Sequence, residues 1–203
     1  MASHGRLITR YGRTPIRAAL FRKNESRLRT ERRDCMLTKN DFSASDWKTL
    51  RDAQYLAGLA TLMADSSGFG TIKESMALAQ GIMENQASNF PFIRDLTSKA
   101  EMAAAQGGLK QRLEDPEARP TKEGIRRLTL DEVEEAVSIL KGKASAEELD
   151  AYRKLIYGVA EKVANAASEG GFLGFGGTRV SSGEQGFLEE LRNTLQLEQV
   201  KKA

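Results

Sequence analysis

Histidine and cysteine are all but missing from this chain of 203 residues. His4 and Cys35 are the single copies of each, and both fall in the first 35 residues. From Met36 onward there is neither. That removes imidazole general bases, thiol nucleophiles, zinc sites built on His or Cys, and disulfides from the larger part of the chain. The paired Glu-x-x-His motifs of a di-iron bundle go with them. Long apolar runs are lacking too. The richest window, Tyr55 to Ala64, already contains Gly58 and Thr61, well short of the ~18 apolar residues that span a bilayer. No Walker-type phosphate loop, no EF-hand loop and no G-x-S-x-G elbow is present.

What is there divides by charge. Residues 1–35 carry nine Arg and one Lys against Glu25, Glu31 and Asp34, a net of +7. The remainder holds 21 basic and 25 acidic side chains, a net of −4. The first 35 residues are therefore read as a basic, disordered tail and residues 36–203 as the folded domain. The tail suits a presequence, a nucleic-acid arm or an arm for anionic lipid, or else it is upstream sequence ahead of a true start at Met36. Nucleic acid enters only through this tail.

The body marks its helices by repeated capping boxes, in which a Ser or Thr oxygen accepts from the N3 amide and an acidic N3 side chain reaches back. Ser43 with Asp46, Thr71 with Glu74, Thr129 with Glu132, Ser145 with Glu148 and Ser181 with Glu184 all have this spacing. Phe42 with Trp47, and Leu128 with Val133, add the flanking apolar staple. The first helix, ending at Asp65–Gly68, is small or apolar on most faces and belongs at the centre. A third helix is expected from Pro91, capped by Asn89 and stopped at Gly107–Gly108. Residues 107–128 read as a surface linker with short helical pieces, followed by a helix from Leu130 to Lys141. The stripe Leu149, Tyr152, Leu155, Ile156, Val159, Ala160 and Val163 makes 146–168 the clearest helix of all. Trp47, Tyr55, Tyr152 and Tyr157 sit at core spacing, as packing residues. Gly58–Asp65 and Gly158–Asn165 echo each other, as a duplicated helix–loop–helix unit or as two similar Ala-rich helices. Together these predict an all-α, single-domain bundle of about six or seven helices, soluble and cytoplasmic, with a Gly/Phe-rich loop before the last one.

That loop, Gly170 to Gly177 with Arg179 after it, admits three uses. Its amides and Arg179 suit an anion, but no strand precedes it and Arg179 stands where a G-x-G-x-x-G would end. Phe172, Leu173 and Phe175 suit a partner contact if exposed. The same three plug the end of the bundle if the loop folds back, which is the usual fate of such side chains.

The run Gly170-Gly-Phe-Leu-Gly-Phe-Gly-Gly177, then Val180-Ser181 and Glu184, resembles the C-terminal signature of an uncharacterised bacterial all-helical family. Asp46–Ala53, Gly58–Ala60 and Lys73–Glu74 are similar to it as well. The resemblance implies a helical fold and no activity. A more distant likeness is to TerB-like helical domains, and it implies a metal held by acidic residues at helix ends, here Asp65, Glu169 and Glu184. No cofactor is otherwise expected. The function expected is a non-catalytic interaction or accessory protein that meets a protein partner, or a second copy of itself, through Phe172, Leu173, Phe175 and Arg179 or through a groove of the bundle. The alternative is a metal- or small-ligand-handling domain.

Overall fold

The computed structural model describes residues 36–64, 72–114, 121–168 and 180–197. Seven α-helices occur there: α1 (Ala44–Ala64), α2 (Ile72–Met83), α3 (Pro91–Leu96), α4 (Lys99–Glu114), α5 (Lys122–Lys141), α6 (Ala146–Ser168) and α7 (Ser182–Thr194). Among the described residues there is no strand, and no helix is long and apolar enough to cross a membrane.

α1 is the axis. Leu50, Ala53, Leu56, Ala57, Ala60, Thr61 and Ala64 are all buried, so burial runs around the helix rather than along one stripe. Such a helix must be packed from several sides, and α2, α4, α5, α6 and α7 all lie against it. Its small residues let neighbours approach closely. At Gly58 a Cβ would stand 2.5 Å from Cδ1 of Leu78 on α2 and 3.3 Å from Val159 on α6. Gly158, its counterpart in the sequence echo, has nothing within 4 Å, so the two glycines answer different needs. α6 runs beside α1 in the same direction: the Tyr152 hydroxyl donates to the Leu50 carbonyl at 2.9 Å, and Val159 faces Gly58. α5 runs the other way, with Thr129 beside Leu56 and Lys143 beside Asp41.

Three of the expected capping signals hold. The Ser43 hydroxyl takes the Asp46 amide at 3.1 Å, and the staple rings of Phe42 and Trp47 are 5.8 Å apart. Asp46 does not return the bond; its carboxylate lies 3.9 Å from Lys143. Ser145 with Glu148 and Ser181 with Glu184 are complete reciprocal boxes. Thr71 falls outside the described residues.

Thr129 does not start a helix. α5 begins eight residues earlier, where the Thr121 hydroxyl accepts from Gly124 N–H at 3.0 Å, and it continues unbroken through Leu128, Thr129 and Leu130 to Lys141. The Thr129 hydroxyl instead donates backwards to the Ile125 carbonyl at 2.8 Å and across to the Leu56 carbonyl at 3.3 Å. A threonine inside a helix can do this as readily as cap one, so the Thr-x-x-Glu spacing carries both meanings. Much of the expected linker is accordingly helix.

The other correction lies between Pro91 and Glu114. Phe90, not Asn89, is the N-cap of α3, with no side-chain bond. That helix ends at Leu96, and α4 then runs through Gly107–Gly108 instead of stopping there. The break at Thr97–Ser98 is stabilised from a distance. Gln54 Nε2 donates to the Leu96 carbonyl at 3.1 Å, and Gln86 Nε2 donates to that of Thr97 at 2.8 Å. Both amides satisfy carbonyls that a helix end leaves free.

The segment ahead of α1 is strapped down by polar contacts. Leu37 N–H donates to Glu148 Oε1 at 2.8 Å, and the Leu37 carbonyl accepts from Phe92 N–H at 3.1 Å. The Asp41 carboxylate takes both the amide and the hydroxyl of Thr38 at 2.8 Å. The Thr38 amide is the main reason the Asp41 carboxyl titrates below its ordinary value. Phe42, Phe92 and Tyr152 form a chain of rings beneath the strap, with centroids 6.3 and 6.4 Å apart.

Candidate functional site

The seam between α1 and α4 changes character along its length. Near the start of α1 it is charged. Lys48 and Arg51 each lie 2.7 Å from the buried Asp52 carboxylate. Arg51 Nη1 reaches Glu101 at 3.4 Å, and Lys39 Nζ reaches the same carboxylate at 2.6 Å. Burial would push Glu101 towards its neutral form, but the hydrogen bond from Lys39 and the charges of Lys39 and Arg51 outweigh it and hold the carboxyl below its usual range. The Trp47 indole N–H helps electrostatically, although it makes no well-aligned hydrogen bond.

A pH dependence follows from this arrangement. A carboxyl whose pKa is lower in the folded state stabilises above its unfolded value, and that contribution is lost as pH falls through the folded one. Thermal melts of wild type and Glu101→Gln should therefore differ at neutral pH and draw together as pH falls below the ordinary glutamate value of about 4.3. Curves that keep the same separation well below that pH would show that Glu101 contributes no such linkage.

Further along, the seam opens into a groove. Tyr55, Leu59 and Leu62 of α1, Ser75 and Leu78 of α2, and Leu109 of α4 line a space of about 420 Å³. Gln106 and Lys110 stand at its exposed side. The spacing that builds it is simple: 55, 59 and 62 share one face of α1, and Leu78 reaches in where Gly58 lets α2 approach. The size is typical of a small-molecule pocket. Met76 on α2 is 66% exposed, among the most exposed large apolar side chains of the described residues.

Tyr55 contributes to the groove lining while keeping its hydroxyl out of solvent. The residue is 3% exposed, and its hydroxyl is buried without any hydrogen-bond partner. Burial raises its phenol to about 12. By contrast, the fully buried Tyr152 spends its hydroxyl on the Leu50 carbonyl, and Tyr157 pairs with Arg192, whose guanidinium lies 4.7 Å from the ring centre. An unpaired buried hydroxyl costs about 1–3 kcal/mol, and this one lies out of water's reach.

A second depression, of about 460 Å³, lies between the C-terminal ends of α5 and α7. Its lining includes Glu134, Lys141 and Asn193, charged and polar groups of the kind that water satisfies.

Of the residues singled out by sequence, Phe172, Leu173, Phe175 and Arg179 lie outside the described residues, as do Asp65 and Glu169. Glu184 is described and is 2% exposed. Its Oε2 accepts the Ser181 amide at 2.8 Å, which is the cap expected of it. Among the described residues no group of three or more His, Cys, Asp or Glu side chains could hold a metal ion. The groove escaped sequence reasoning because its residues come from three helices and read, one by one, as core. Comparisons of the chain with protein-family models, with curated proteins and with solved structures found no match.

Proposed function

We propose that this is a non-catalytic binding protein whose α1–α2–α4 groove receives an apolar ligand or an apolar side chain of a partner. The observation that carries the proposal is the groove itself: a concave space of about 420 Å³ between α1, α2 and α4, lined mainly by Tyr55, Leu59, Leu62, Leu78 and Leu109. Phe172, Leu173 and Phe175, three large apolar residues within four positions, are the second candidate contact, on the strength of the sequence.

The uncharged fluorescent probe N-phenylnaphthylamine tests the groove. It should bind the full chain saturably, and filling the groove with Leu59→Trp or Leu62→Trp should weaken that binding about tenfold or more, since tenfold corresponds to only ~1.4 kcal/mol of lost contact. Both leucines are only partly buried and border the open groove, so a larger ring can fill it. Binding that is equally tight in both variants would place the probe elsewhere and remove the groove from the argument.

A further inference from the structure

We infer that α4 is jointed at Gly107–Gly108, and that its last turns, from Leu109 to Glu114, form a movable wall of the groove which an occupant holds closed. The occupant rests on the groove reading above; the joint does not.

Most glycines within the helices of this bundle have a steric reason. A Cβ at Gly58 would meet Leu78 at 2.5 Å, one at Gly81 the Val159 backbone at 3.3 Å, and one at Gly183 the Ala64 carbonyl oxygen at 2.3 Å. Gly107 and Gly108 have no such reason. They stand side by side in the interior of α4, and a Cβ at either would meet nothing within 4 Å. Neither takes the left-handed backbone that calls for glycine. What the pair does to a helix is to weaken it, because glycine has more backbone freedom to lose than any other residue. Bends in helices gather at such pairs.

The two sides of the pair are held differently. Before it, Glu101 is tied to Lys39 at 2.6 Å and to Arg51 at 3.4 Å, and Ala105 is fully buried. Beyond it, Leu109 alone is buried among the described side chains of α4, while Lys110 and Gln111 are exposed. Leu109 is also part of the groove lining. The least anchored stretch of α4 is thus the stretch that closes the groove, with one leucine as its latch. Opening at the pair breaks the helical hydrogen bonds that cross it and takes Leu109 off the wall, and the core around α1 is untouched. Such a local opening is far less costly than unfolding the bundle. An apolar occupant in contact with Leu109 gains that contact only when the wall is closed, so it shifts the balance towards closure.

Amide hydrogen exchange of the full chain reads the joint. Wild-type amides from Leu109 to Leu113 should exchange about tenfold or more faster than those from Met102 to Gln106, with the step at the glycine pair. Gly107→Ala combined with Gly108→Ala should slow the far group about 25-fold, roughly fivefold for each alanine. Gly158→Ala, an equally unobstructed glycine in α6, adds to global stability alone and should leave the far group unchanged. Saturating N-phenylnaphthylamine should slow the far group about tenfold or more in wild type. A rate that rises smoothly towards Glu114 would be ordinary fraying of a helix end and would overturn the joint. So would alanines without effect, or a Gly158→Ala effect of the same size, which would mean that these amides open only with the whole bundle. If Leu59→Trp weakens probe binding but the probe leaves the far amides unchanged, the groove stands and its wall does not close on an occupant. If the probe fails to bind, or binds Leu59→Trp as tightly as wild type, the groove reading fails, and the step and its response to the alanines alone decide the joint.

Discussion

Gly183→Ala should destabilise the protein by about 3 kcal/mol, the upper part of the range for forcing an extra carbon into a packed site. For a chain of this length that is a fall in melting temperature of roughly 6–12 °C. Gly183 lies in the first turn of α7, two positions after the Ser181 cap, and a methyl group built there would overlap the carbonyl oxygen of Ala64 at the last turn of α1. The obstacle is backbone, so no rotamer change relieves it. Nor can α7 slide away freely, since Ser181 and Glu184 hold its first turn through two reciprocal hydrogen bonds and Phe187 and Leu191 are fully buried below it. The close approach also places the amide end of one helix against the carbonyl end of another, an arrangement the two helix dipoles favour. Gly158→Ala is the control. That position is exposed on α6, a Cβ there meets nothing within 4 Å, and alanine should gain up to about 1 kcal/mol from helix propensity. If the two substitutions shift the melt in the same direction and by similar amounts, the contact between the ends of α1 and α7 is not as close as described.

The contrast between the two glycines shows where sequence reasoning reached its limit. Helix ends set by local chemistry were legible: Ser43, Ser145 and Ser181 cap where the spacing says they should. The stripe of α6 was legible because each member faces the core at helical period, from Tyr152 to Val163. The central place of α1 followed from small residues on several faces. Boundaries set by tertiary bonds were not legible. The break after Leu96 depends on Gln54, 42 positions away, and the continuity of α5 through Thr129 is supported by a bond to Leu56, 73 positions away. The groove belongs to the same class. Tyr55 reads as a core aromatic in the sequence and packs as one, and only the absence of an acceptor around its hydroxyl distinguishes it. Glu184 was legible in its capping role, since Oε2 takes the Ser181 amide.

Glu148 is the residue whose loss should matter most at the opposite end of the bundle. The residue is 3% exposed, and its carboxylate closes two structures at once. Oε2 accepts the Ser145 amide at 2.9 Å and completes the cap of α6, while Oε1 accepts the Leu37 amide at 2.8 Å and anchors the strap that leads into α1. Glu148→Ala removes both acceptors. The lost return bond to the Ser145 amide contributes about 1 kcal/mol, and the buried Leu37 N–H is left without a partner at about 1–3 kcal/mol, so a total near 3 kcal/mol is expected. Glu148→Gln has one carbonyl oxygen in place of two carboxylate oxygens, so it can serve the cap or the strap but not both, and should fall roughly midway. Helix α6 and the strap can be told apart by amide hydrogen exchange. In Glu148→Ala the Leu37 and Phe92 amides, which tie the strap to α6 and α3, should exchange much faster, while amides in the middle of α6 speed up only as far as the loss of global stability requires. Uniform acceleration across the whole bundle would mean that Glu148 acts as a cap only and that the strap is held by its other contacts, the Lys39–Glu101 pair and the Lys143 bond to the Asp41 carbonyl.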